Sequence, residues 1–316
     1  MKDIEREDIQ IIAKHSNWSE KSIQKILTTH IYHDKAAWQK FLRLFFVSLG
    51  VGFTTAGIIF FFAYNWASLH KFFKLGFLEV GIISATLVLV IAKISLDIKN
   101  ILLTGASILV GVLFAVFGQI YQTGANAYDF FLGWTMAIAI WVLISNFAPL
   151  WLVFITLINT TTVLYAEQVA QDWSEVFVLA LLFCINAAFL IGFLYLKNIN
   201  PKIKVPSWFT NLLALAVVFF STVGITTGIF GRSQEAFWVL LLLTSALYAI
   251  GIRYGLKHKE VFNLSVIAFS CIVISCALLI KITEDEGMIF FIGLFVIASV
   301  SMVIKTLIRL QKKWKK

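Results

Sequence analysis

Residues 101–118 read ILLTGASILVGVLFAVFG, a run with no charge, no proline and no amide side chain. Wound as a helix at 1.5 Å per residue, such a run covers about 27 Å, close to the thickness of a bilayer's hydrocarbon core. Lipid offers backbone amides no partner, so an apolar run at that depth is either a helix or part of a closed barrel. Barrel strands alternate apolar and polar residues, and this run does not. It also carries Ser107, Gly111, Ala115 and Gly118 as a ridge of small residues, the pattern that lets helix backbones approach in lipid. These residues predict a membrane-spanning helix that packs against others.

Working outward, similar runs fall near 44–64, 75–92, 130–146, 148–166, 174–196, 208–229, 235–252, 261–280 and 287–308. Composition agrees: 60% of the 316 residues are hydrophobic and 14% are charged, where a soluble domain carries about a quarter charged residues. The expected fold is all-α, a polytopic transmembrane bundle of about ten spans. Residues 1–43 read as a cytosolic amphipathic helical element, 44–308 as the bundle, and 309–316 as a basic cytosolic tail. Within the first element, Ile4, Asp8, Ile11 and Ile12 suggest one short helix. Asn17 and Glu20 read as a capping box opening a second, and Asp34 as the cap of a third that enters the membrane through Trp38 and Phe41. Pro201 and Pro206 mark the longest loop and suggest a boundary between two halves of the bundle.

The distribution of basic residues sets an expected orientation. With the N-terminus in the cytoplasm, 22 of the 26 Lys and Arg fall on the cytoplasmic side, the bias expected of cytoplasmic loops. Both termini are then cytoplasmic, and the location is a bacterial cytoplasmic (inner) membrane. The turn Ser145-Asn146-Phe147 carries no basic residue, so its two helices either cross fully or form a re-entrant hairpin, giving ten spans or eight. Losing a single span would move twelve downstream bases outside.

The net charge of +9 does not point to nucleic acid, because the bases sit at helix ends and in the tail. Lys312, Lys313, Lys315 and Lys316 suit anionic lipid headgroups, and the lipid bilayer is the expected partner, beside a possible cytosolic or membrane protein. Cys184, Cys271 and Cys276 all lie in apolar segments without metal-knuckle spacing and read as small apolar fillers. The first apolar run starts near Leu44, behind a charged stretch too long and acidic for a signal peptide. No nucleotide-binding, zinc-protease or serine-hydrolase motif occurs, so no cofactor, metal site or catalytic residue is expected. His30 and His33, three apart beside Asp34, lack a third ligand and read as a solvated helix start.

Two connections on the expected outer face are dense in amide, aromatic and small residues. One runs from Phe61 through Asn65-Trp66 to Leu75, and the other from Gly118 to Trp134. Together with Ser145–Trp151 they resemble a bacterial family of predicted membrane proteins, domain of unknown function 2157. The resemblance covers the N-terminal element and the first five spans. It implies a multi-pass bacterial membrane protein of unassigned activity and brings no catalytic residues with it.

The residues that would line an outer-face polar site are Asn65, Trp66, His70, Lys71, Glu79, Gln119, Tyr121, Gln122, Asn126 and Asp129. Glu79 either faces the interior and pairs with His70, Lys71 or Lys74, or reaches the headgroups. The others either form a site or cap helix ends, with Tyr121, Tyr128, Trp66 and Trp134 as an interfacial aromatic belt. Asn159, Thr160–Thr162 and Asn186 read as interhelical hydrogen-bonding groups. Two functions fit these residues. One is a transporter-like or small-solute-binding bundle. The other is a non-transporting scaffold, sensor or assembly factor whose N-terminal helices bind a cytosolic partner. An outer-face enzyme would need Asp129 or Glu79 as its acid or base.

Overall fold

The computed structural model describes residues 6–30, 35–65, 67–121, 124–200, 203, 205–231, 235–282 and 288–315. The described residues form twelve helices: α1 (Arg6–His15), α2 (Glu20–His30), α3 (Lys35–Tyr64), α4 (Lys71–Ile91), α5 (Leu96–Tyr121), α6 (Ala127–Ser145), α7 (Ala148–Gln168), α8 (Glu175–Ile199), α9 (Ser207–Phe230), α10 (Glu235–His258), α11 (Val261–Ile282) and α12 (Met288–Lys315). The last ten are each long and apolar enough to cross a membrane, matching the ten apolar runs one for one. Most are longer than the runs that announced them. Hydropathy marks where lipid ends, whereas the helix continues into water until a cap stops it.

The re-entrant alternative loses its footing. α6 and α7 span 19 and 21 residues, about 28 and 31 Å of helix, and pack along each other as an antiparallel hairpin. Asn146 makes the turn in the left-handed region at φ 46°, a conformation its short amide tolerates.

In the N-terminal element, Ile9 is buried and α1 packs on α2. Ser19, not Asn17, opens α2: the Ser22 amide donates to Ser19 Oγ at 3.3 Å and to the Ser19 carbonyl at 2.9 Å. Asn17 lies two residues before that cap. The third expected helix is the start of α3, which runs unbroken from Lys35 to Tyr64. Ile4, His33 and Asp34 lie outside the described residues.

The chain divides into two compact units, residues 1–116 and 117–316. The expected boundary at Pro201–Pro206 is therefore incorrect. That connection joins α8 to α9, the most extensively packed helix pair of the second unit.

In the first unit α3 and α5 meet where Gly105 lies against Val51 and Thr55, and Thr55, Ala106 and Ser107 are buried. Lys40 and Asp97 form an exposed 3.4 Å ion pair near the starts of the same two helices. Phe62 packs edge-to-face on Phe77 of α4 at 5.8 Å.

Lipid supplies no hydrophobic drive for helices to associate, so close packing and hydrogen bonds must hold them. The second unit uses both. A side chain at Gly224 would collide with Leu240 of α10 and press on Leu179 of α8, and one at Gly228 would strike the Phe237 ring. The G-x-x-x-G of α9 thus packs within the chain. Val176, Phe183, Val217, Ile225 and Leu240 form one buried cluster. Phe193 joins Trp151 and Phe209 in edge-to-face contacts of 5.1 and 4.9 Å. Asn159 of α7 and Asn186 of α8 exchange hydrogen bonds of 2.9 and 3.2 Å, and Asn186 also donates to the Leu182 carbonyl. Each sits eleven residues into its helix, near mid-membrane, and this is the interhelical bonding expected of them. Cys184 and Cys271 are exposed on the outside of the bundle rather than filling its core.

Candidate functional site

Four of the ten residues expected to line an outer-face site, Asn65, His70, Asn126 and Asp129, do helix-end work. In the first unit, Asn65 Nδ2 donates to the Phe61 carbonyl at 3.1 Å, and Ser68 Oγ donates back to the Asn65 carbonyl at 3.0 Å. His70 caps α4, its Nδ1 accepting from the Phe72 amide at 3.4 Å. Lys71 lies over the Phe72 ring at 5.3 Å. α4 begins at Lys71, so Glu79 sits about 12 Å along it. Glu79 is exposed while Lys74 is buried; five positions apart on a helix, the two point to different faces. Among the described residues Glu79 forms no ion pair.

In the second unit, Gln119 and Tyr121 are exposed near the end of α5, where Tyr121 packs on Phe117 at 4.6 Å. Asn126 and Asp129 start α6 as a capping pair, with the Asn126 amide donating to Asp129 Oδ2 at 3.1 Å. The Tyr128 amide, in the same first turn, donates to Gln168 Oε1 of α7 at 3.1 Å and closes the open end of the α6–α7 hairpin. Tyr128, Tyr165, Trp173 and Phe177 then form a chain of ring contacts between 5.0 and 5.6 Å. Trp66 and Gln122 lie outside the described residues. Because the ten residues divide between the two units, what the structure describes is their local roles.

The features with the reach of a binding site lie deeper in the second unit. Near the middle of α9, α10 and α11, four hydroxyls form a continuous chain. Ser221 Oγ lies 2.9 Å from Tyr248 OH, which lies 2.6 Å from Ser270 Oγ, which lies 2.6 Å from Thr222 Oγ1. Ser221, Tyr248 and Ser270 are buried. Ser221 and Thr222 hand protons onward to the Val218 carbonyl, so the chain is anchored to backbone. Such networks replace the solvent that lipid does not supply.

Beside this chain, α8, α9, α10 and α11 line a partly open cavity of about 120 Å³. Tyr248 stands at its deep end, and Tyr254, Glu260 and Asn263 stand near the α10–α11 connection. From Tyr248 to Tyr254 is about 9 Å along α10. Leu190, Val217 and Ile267 supply apolar wall, and the absence of a side chain at Gly251 leaves room between α10 and α11. Asn263 Nδ2 donates to Glu260 Oε2 at 2.6 Å, while Asn263 Oδ1 is buried without a partner. The amide cannot be turned round, because a carboxylate only accepts and the Oδ1 atom would then face it. Sequence reading missed this site because its wall is ordinary apolar residue drawn from four helices. The available signal was depth: Ser221, Thr222, Tyr248 and Ser270 lie between 9 and 15 residues into their helices.

These features define a multi-pass helical membrane protein with a cavity between four of its helices and no recognisable catalytic constellation among the described residues. The resemblance seen in the sequence holds: residues 19–151 match the family model described as a predicted membrane protein, domain of unknown function 2157. The match runs from the start of α2 into the first turn of α7 and stops short of the helices that line the cavity. No curated protein matches the chain.

Proposed function

We propose that this protein is a transporter-like, small-solute-binding protein of the bacterial cytoplasmic membrane, with the α8–α11 cavity as its binding site. The observation that carries this reading is the cavity itself: four helices, an apolar wall, a hydroxyl chain at the deep end and an acidic, amide-bearing mouth. Pockets that hold small molecules combine largely apolar walls with a few placed polar groups in this way. At about 120 Å³ it is near the ~150 Å³ of an engineered cavity that holds benzene, so its occupant is compact. The mouth lies beside Arg253, Lys257 and Lys259, and the basic bias of that connection makes it the cytoplasmic side. Asn65, His70, Asn126 and Asp129 serve this reading at helix ends rather than as the site.

The test is side-resolved labelling. With Cys184, Cys271 and Cys276 replaced by serine, Ala214→Cys places a thiol on the cavity wall. A membrane-impermeant maleimide should modify it in inside-out vesicles and not in right-side-out ones. If Ala214→Cys stays unlabelled in both, while a Lys312→Cys control reacts in inside-out vesicles, the cavity is closed to solutes and the reading fails.

A second reading draws on the N-terminal element, where Ile11 and Ile12 of α1 and Trp18 in its connection to α2 are exposed. An apolar face of this kind suits a cytosolic partner. Deleting residues 1–30 should then abolish recovery of that partner from detergent extracts while the bundle stays folded. Unchanged recovery would remove the scaffold role.

A further inference from the structure

The geometry points to a ligand class for the cavity: a small amphipathic amine, with its protonated nitrogen held at Glu260 and Asn263 and its apolar body lying toward Tyr248. This deepens the solute-binding reading and rests on it. Two observations carry the assignment, and both concern what the mouth lacks.

The first is an excess of acceptors. Glu260 is half-buried and forms no ion pair among the described residues. Asn263 Nδ2 donates to one carboxylate oxygen, and no basic side chain pairs with the charge among the described residues. Asn263 Oδ1 is a second acceptor, buried and without a donor. Two acceptors side by side, one of them charged, suit a group that donates at least two hydrogen bonds and carries a positive charge. An ammonium does this with three donors and no acceptor. A carboxylate or phosphate would bring further acceptors to a site that already has too many.

The second is that the neighbouring bases are committed elsewhere or turned outward. Lys259, next in sequence to Glu260, adopts φ 59°, and its Nζ reaches the Trp314 carbonyl at 3.4 Å instead of the Glu260 carboxylate. Arg253 and Lys257 are exposed. A connection with three basic side chains thus leaves its one acid free toward the cavity. Beyond the mouth the wall is apolar as far as Tyr248, whose hydroxyl is occupied by Ser221 and Ser270. The deep end therefore offers contact area and no free charge.

The test uses the full-length protein in phosphatidylcholine nanodiscs and three probes with one phenyl body: phenethylamine, phenethyl alcohol and hydrocinnamate, titrated by calorimetry. A charge-assisted hydrogen bond should favour the amine over the alcohol by about tenfold, with hydrocinnamate weakest. Glu260→Gln should bring amine and alcohol to within about threefold of each other, since the amide keeps the shape and removes the charge. Gly251→Leu, which fills the cavity, should remove binding of all three; its helical content and elution volume report whether it folds. Equal binding of amine and alcohol by the native protein, or preference for hydrocinnamate, overturns the ligand class and leaves the cavity reading standing. Failure of all three probes to bind, with Gly251→Leu indistinguishable from native, overturns the cavity reading itself. Repeating the titration with phosphatidylethanolamine in the disc separates two sources of the same chemistry. Weakened amine binding assigns the site to a lipid amine headgroup, and unchanged binding to a soluble amine; either result supports the class.

Discussion

The Asn159–Asn186 pair gives the most direct test of how α7 and α8 meet. Both amides lie near mid-membrane, and two hydrogen bonds of 2.9 and 3.2 Å cross the helix interface. Interhelical hydrogen bonds in lipid average about 0.6 kcal/mol each, so the pair should couple by about 1.2 kcal/mol. Leucine is the substitution to use at both positions, because it matches the number and branching of asparagine's side-chain heavy atoms and so leaves no cavity. Asn186→Leu should cost more than Asn159→Leu, since Asn186 is almost fully buried and its partner is left with an unpaired amide. The double variant should recover part of that loss, because no amide then stays unpaired. The assay is reversible unfolding in mixed detergent micelles followed by circular dichroism, analysed as a double-mutant cycle. A coupling energy within about 0.3 kcal/mol of zero, the range expected of independent sites, would refute the helix register on which the α7–α8 packing rests.

Three further outcomes follow from the packing. Gly228→Ala should destabilise by about 1–3 kcal/mol by overpacking against Phe237, whereas Gly192→Ala and Gly293→Ala, which meet nothing within 4 Å, should be neutral or stabilising by up to about 1 kcal/mol; thermal unfolding in detergent separates the two groups. Tyr248→Phe should cost about 1–2 kcal/mol in the same assay, because it cuts the hydroxyl chain between Ser221 and Ser270 while leaving the Ser270–Thr222 bond intact. Lys40→Ala should shift stability by less than about 0.5 kcal/mol, since its ion pair with Asp97 is well exposed on both sides and such pairs contribute little.

The spans were legible because a bilayer imposes one length and one composition on every segment that crosses it, and nothing competes with that pattern. Helix ends were less so: α10 continues six residues past the apolar run ending at Ile252, and α12 carries its basic tail to Lys315 as helix. Helix propensity extends those ends where hydropathy has already stopped reporting. Polar residues were easy to see and hard to interpret. Asn126 and Asp129 stand out in the sequence, yet their work is to start α6, which depends on backbone geometry that no spacing rule ties to a site. The cavity was hidden for the opposite reason, being built from leucine, valine and isoleucine on four separate helices. Only Thr210, Tyr248, Gly251, Tyr254, Glu260 and Asn263 depart from the lipid-facing norm, and each alone reads as packing or as a helix end.

The closed α6–α7 hairpin bears on how the chain enters the membrane. Between Lys99 and Lys197 there is no lysine or arginine, so these helices carry no charge that would instruct the insertion machinery which end to retain. A pair fastened at one end by the Asn146 turn and at the other by Gln168 on the Tyr128 amide can partition into lipid as a single object. The first basic residue to follow is Lys197, in the last turn of α8. The segment that topogenic charge leaves uninstructed is also the one whose two helices are fastened to each other at both ends.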